Sequence, residues 1–87
     1  PNYSSNNKWM MAINVDKKYK KKLINFLIKK GIQTRSVWKP NHLQEPYKDC
    51  QTYKIENTLK LVDGSLCLPS SHKLQNKDLD IIISQLQ

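Results

Sequence analysis

Residues 31–44 gather the side chains best suited to chemistry: Arg35, Lys39, His42 and Gln44, with Trp38 and Asn41 among them. Arg35 is the one arginine among fifteen basic residues. Its planar fork can grip a carboxylate or a phosphate with two parallel hydrogen bonds, which a lysine point charge cannot do. His42 lies among polar loop residues and not on an apolar stripe, so ligand binding or proton handling stands level with a plain loop role. His72, after Pro69, Ser70 and Ser71, reads as a surface or connector residue. No nucleophile with its base, no paired carboxylates, no glycine-rich phosphate loop and no metal spacing can be assembled from the rest. Cys50 and Cys67 form no CxxC unit and are expected as two buried or partly buried thiols of a reducing compartment.

These groups need elements to position them. Residues 8–15 are an apolar run of strand length, followed by Asp16, whose carboxylate can accept from the first free amides of a helix. From 17 to 30, Tyr19, Leu23, Phe26 and Leu27 recur at helical spacing, so they are expected on the core face. Lys17, Lys18, Lys21, Lys22 and Lys29 gather opposite. Gly31 suits the left-handed residue that ends such a helix, and Lys29 and Lys30 suit its negative end.

Residues 32–38 alternate and hold Ile, Thr, Val and Trp, which predicts a second strand ending at Pro40. Residues 41–51 read as a loop with a helical turn after Pro46. A helix is expected over 53–62, with Ile55, Leu59 and Val62 on one face and Asp63 and Gly64 ending it. A short strand over 65–68 stops at Pro69. Asn76 is the expected cap of a last helix, whose stripe is Leu79, Ile82, Ile83 and Leu86. The order predicts an α/β domain: a small two-layer arrangement with a short sheet of about three strands and helices packed mainly on one face.

Eighty-seven residues make one small domain, and its net charge of +8 raises anionic partners. Half the lysines, however, lie between 17 and 30, where a solvated helix face is the better reading. That face lacks the interleaved aromatic and amide groups of a nucleic-acid reader, so nucleic acid is not the expected partner. No apolar run is long enough to cross a membrane, and no signal-peptide pattern appears in these residues. Trp9 and Trp38 are expected in a core or an interface.

Gly31, Ile32, Thr34, Arg35, Trp38, Pro40, His42 and Gln44, then Pro46 and Tyr47, resemble a motif of the DegT/StrS family of nucleotide-sugar aminotransferases. A second match follows in register: Leu66, Cys67, Leu68, Pro69, Ser70 and Ser71, then Asp78 opening a final helix. The resemblance implies an aminotransferase C-terminal small domain over residues 8–87, with residues 1–7 a linker from a missing large domain. It implies a cytoplasmic enzyme of fold type I, dependent on pyridoxal 5'-phosphate, that moves an amino group from a donor such as glutamate to a nucleotide-linked keto sugar. It implies a homodimer whose Schiff-base lysine belongs to the large domain. The fragment alone is then expected to bind no cofactor and to be inactive. Arg35, Lys39, His42 and Gln44 would line the sugar-nucleotide side of the cleft. The competing expectation is a free-standing basic module for nucleic acid or an acidic protein.

Overall fold

The computed structural model describes residues 2–87, so Pro1, the first residue of the expected linker, lies outside the described residues. Three short strands and three helices alternate along the chain: β1 (Ala12–Asn14), α1 (Lys17–Lys29), β2 (Arg35–Ser36), α2 (Glu56–Gly64), β3 (Ser65–Cys67) and α3 (Asn76–Leu86). In space the strand order is β1-β3-β2, and both outer strands run antiparallel to β3. β1 and β2 are therefore parallel to each other, with α1 as their crossover and β3 inserted between them. Two parallel strands need such a long connection, whereas the antiparallel pairs do not. The expected small two-layer α/β domain is what the chain forms.

The sheet is shorter than the apolar runs suggest. Residues 8–15 contribute only three paired residues and residues 32–38 only two. A strand extends only as far as its neighbour does, and β3 is cut to three residues between Gly64 and Pro69. Gly64 lies pressed against the β1 exit. Its carbonyl accepts from the Val15 amide at 2.9 Å, and a Cβ on it would lie 2.6 Å from the Val15 carbonyl oxygen. Any larger residue there forces the two backbones apart.

α1 begins and ends as its sequence dictates. The Asp16 carboxylate accepts from the Lys18 amide at 3.1 Å. At the other end Gly31 takes φ +79°. Its amide donates to Ile28 and the Ile32 amide donates back to Leu27, at 3.0 and 2.9 Å. This pair of bonds is a Schellman close, normally accompanied by an apolar contact across it. Here that contact is Leu27 with Ile32, which together with Ile82 of α3 form the core cluster, with Leu23 and Leu68 against it.

The core is narrower than the helical stripes predict. Tyr19 and Phe26, expected on the core face of α1, are exposed, as are Leu79, Ile83 and Leu86 of α3. A sheet two or three residues long presents too little surface to cover a full helical stripe, so only Leu27 and Ile82 reach the centre. The half-buried Lys20 instead crosses to α2, its ammonium donating to the Val62 carbonyl at 2.8 Å near the negative end of that helix. α2 starts at Glu56, three residues later than expected, after Lys54 in a left-handed conformation at φ 46°. Gln75, not Asn76, caps α3, in a reciprocal box with Asp78 whose carboxylate accepts from the Gln75 amide at 2.9 Å.

Candidate functional site

The sheet has two unlike faces. Residues directly opposite each other across paired strands project to the same side. Ile13, Leu66 and Ser36 form one row and Ala12, Cys67 and Arg35 the other. By the same alternation Leu68 shares the side of Leu66, and Leu68 packs on the Leu27 cluster, so that side is the helix-covered one. The opposite face is open at Ala12 and Arg35.

On this open face lies a groove of about 480 Å³, lined among others by Met10, Arg35, Trp38, Cys67, Ser70 and Ser71. It unites the two sequence motifs, 31–44 and 66–71, which are some thirty residues apart in the chain. β2 pairs with β3, so Arg35 faces Cys67 directly and the turn after Pro69 brings the two serine hydroxyls alongside. Arg35 makes no ion pair among the described residues, where the ion pairs are Lys18 with Asp16 and Lys48 with Glu45. An exposed guanidinium without a carboxylate, beside an exposed indole and two hydroxyls, can hold an anion with a planar or sugar-like group attached.

The other expected site residues stand apart from that groove. Two consecutive 3-10 turns, Asn41–Leu43 and Glu45–Tyr47, build the loop after Pro40. Gln44 closes it, its side-chain amide donating to the Lys39 carbonyl at 2.9 Å and reaching Asn41 Oδ1 at 3.5 Å. Lys39 is exposed next to Trp38. His42 lines a second depression of about 360 Å³ with Tyr47, Cys50, Tyr53 and Ile55. Its Nε2 is buried without a hydrogen-bond partner among the described residues. Arg35 and His42, on either side of Trp38–Asn41, thus line different depressions of this chain.

Sequence reasoning did not single out Met10, Cys67, Ser70 or Ser71 as site residues. The available signal was Pro69 ending a strand, since loops at strand exits are where binding groups collect. Of the thiols, Cys67 is buried as expected, but Cys50 is exposed, and neither is in a disulfide. Thr34, which precedes Arg35, is buried with its hydroxyl unpartnered among the described residues. Among those residues no cluster of histidine, cysteine and acids could hold a metal ion, and no helix is long and apolar enough to cross a membrane.

Comparison with known proteins adds two findings. The model of the DegT/DnrJ/EryC1/StrS aminotransferase family matches residues 1–87. Among solved structures, the aminotransferase TlmJ from Streptoalloteichus hindustanus superposes with a TM-score of 0.81 at 18% sequence identity. That match covers 94% of this chain and 22% of the TlmJ chain. At such identity the likeness establishes a shared fold, and the chain spans only about a fifth of the length of that protein.

Proposed function

The chain belongs to the DegT/DnrJ/EryC1/StrS aminotransferase family, and on that premise we propose that it is the C-terminal small domain of a sugar aminotransferase. In this reading the whole enzyme transfers an amino group from an amino acid such as glutamate to a keto carbon of a nucleotide-linked sugar. This domain forms the sugar-nucleotide side of the cleft, and the enzyme works as a homodimer.

The observation that carries the proposal is the unpaired Arg35 in a groove with Trp38 and the serine pair 70–71. A nucleotide sugar presents a diphosphate for a guanidinium fork, and a ring and hydroxyls for an indole and serine side chains. Lys39, exposed beside Trp38, adds a second cation toward the same charge. In this reading His42, on the loop that follows, serves the sugar hydroxyls or carbonyl, although its Nε2 is buried in a separate depression of this chain. Gln44 holds the loop that carries both.

The family's cofactor is pyridoxal 5'-phosphate, which supplies the electron sink for amino-group transfer. The groove does not fit that cofactor by itself, because its lining holds neither a lysine nor a carboxylate. In this reading the cofactor is held by the large domain. Family membership also favours this reading over a free-standing basic module, so the lysines of α1 are taken as a solvated face.

Stopped-flow measurement of the two half-reactions of the full-length enzyme tests the proposal, with thermal melts as control. Arg35→Lys keeps the charge but loses the fork, and should weaken sugar-nucleotide binding by about 1–3 kcal/mol. His42→Ala should slow the sugar half-reaction more than the donor half-reaction. Equal losses in both half-reactions, in step with a lowered melting temperature, would refute these roles.

A further inference from the structure

The net charge of this chain is not spread over its surface. Residues 17–30 hold seven lysines and no acid, whereas the other residues hold eight basic against seven acidic side chains. Seven of the eight net positive charges therefore sit on α1 and its C-cap Lys30. Helical periodicity places Lys17, Lys18, Lys21, Lys22 and Lys29 on the side away from the buried Leu27, and all five are exposed. At 1.5 Å per residue they span about 18 Å of helix. Lys18 touches Asp16 at 3.4 Å, and the other four make no ion pair among the described residues.

Two aromatic rings run beside this row. Tyr19 and Phe26, seven residues apart and so on one flank of the helix, are 55% and 42% exposed. An ammonium lies over each, Lys18 at 4.9 Å from the Tyr19 ring centre and Lys30 at 5.7 Å from that of Phe26. A cationic helix face flanked by exposed rings is the composition of a helix that rests in the headgroup layer of a membrane. Nucleic acid fits less well. Single strands stack their bases on open ring faces, and here a lysine already covers a face of each ring. An apolar protein surface cannot cover the row without stranding its charges. Anionic headgroups attract the ammonium groups while leaving them hydrated, so the face is solvated and bound at once.

We propose that the outer face of α1 is a peripheral docking surface for a bilayer rich in anionic lipid. This goes beyond the transaminase reading and does not rest on it. α1 packs on one face of the sheet through Leu27, and the Arg35 groove opens on the other. A membrane against α1 therefore leaves the groove open to solvent. The attraction falls off within a Debye length, about 8 Å at physiological salt, so it holds only a surface in near contact with the lysines.

Co-sedimentation of the full natural polypeptide that contains this chain tests the proposal, with vesicles of phosphatidylcholine alone and of phosphatidylcholine mixed with phosphatidylglycerol. Binding should appear only with the anionic vesicles, and should be lost at about 1 M salt, where the Debye length is about 3 Å. Each lysine near such a surface strengthens binding about fivefold. Lys17→Gln, Lys21→Gln, Lys22→Gln and Lys29→Gln together should then weaken it by about a hundredfold or more. A matched variant, Lys54→Gln, Lys60→Gln, Lys73→Gln and Lys77→Gln together, removes the same charge from other exposed sites and should bind nearly as before. Thermal melts establish that both variants are folded. Equal loss in the two variants would show that net charge, and not this face, is at work, and would overturn the proposal. Absence of binding to the anionic vesicles overturns it, as does equal binding to the neutral ones. Tighter binding of single-stranded RNA than of anionic vesicles at the same salt would assign the face to nucleic acid and overturn it as well.

Discussion

The Arg35 groove and the His42 loop are consecutive in the chain, yet they are held by different kinds of interaction. The groove stands on long-range pairing: Arg35 is in register with Cys67 on the central strand, and Leu66, next to it, is fully buried. The loop from 39 to 50 is held almost wholly by local bonds. Leu43 donates to Pro40, Gln44 to Asn41, Tyr47 to Gln44 and Cys50 to Tyr47, all at 2.9–3.0 Å, and Lys48 pairs with Glu45 at 2.8 Å. Long-range pairing is lost only when the domain unfolds, whereas a chain of short-range turns opens piecemeal. The same molecule thus sets a wall carrying Arg35, fixed by strand pairing, beside a loop held by local turns, and substitutions should separate the two.

Leu66→Ala should have the largest effect. It empties the centre of the sheet and should cost about 2–5 kcal/mol, a large part of the total for so small a domain. Circular-dichroism melts should show the groove and the loop lost together. A variant that keeps its melting temperature would mean the sheet is not what supports the groove.

Gly31→Ala probes the handover from α1 to β2. A Cβ there meets nothing within 4 Å, so the penalty is purely the left-handed backbone at φ +79°. That conformation costs a residue with a side chain about 1–2 kcal/mol. The expected result is a lower melting temperature with the loop's own exchange rates following only in proportion. An unchanged melt would show that the Leu27–Ile32 contact, and not the cap, sets where β2 begins.

Gln44→Ala should have the smallest effect and the most local one. It removes the amide bond to the Lys39 carbonyl, a contribution of about 1 kcal/mol. Hydrogen exchange should speed up several-fold at residues 41–50 while the amides of Arg35 and Cys67 stay as slow as before. Equal acceleration in both regions would erase the distinction between wall and loop.

Much of the architecture was legible in local chemistry. Asp16 as a cap, Gly31 as a stop, Pro69 just past β3 and the 3.6-residue spacing of α1 and α3 depend on neighbours within a few residues. The chain therefore announces them, and they define the α/β order. What covers each face is a different matter. The spacing of Tyr19 and Phe26 with Leu23 and Leu27 is the same whether a large or a small sheet lies beneath, and only a sheet of two- and three-residue strands leaves the aromatics exposed. The site divides along the same line. Arg35 and His42 stand out by type, a lone arginine and a loop histidine, whereas Lys39 and Gln44 joined them as expected site residues through the motif the stretch resembles. That Arg35 faces Cys67 and joins Ser70 and Ser71, while His42 turns into a separate depression, follows from the pairing of β2 with β3 across thirty residues. Register between distant strands is chosen by the packing of the whole domain, and no local pattern encodes it.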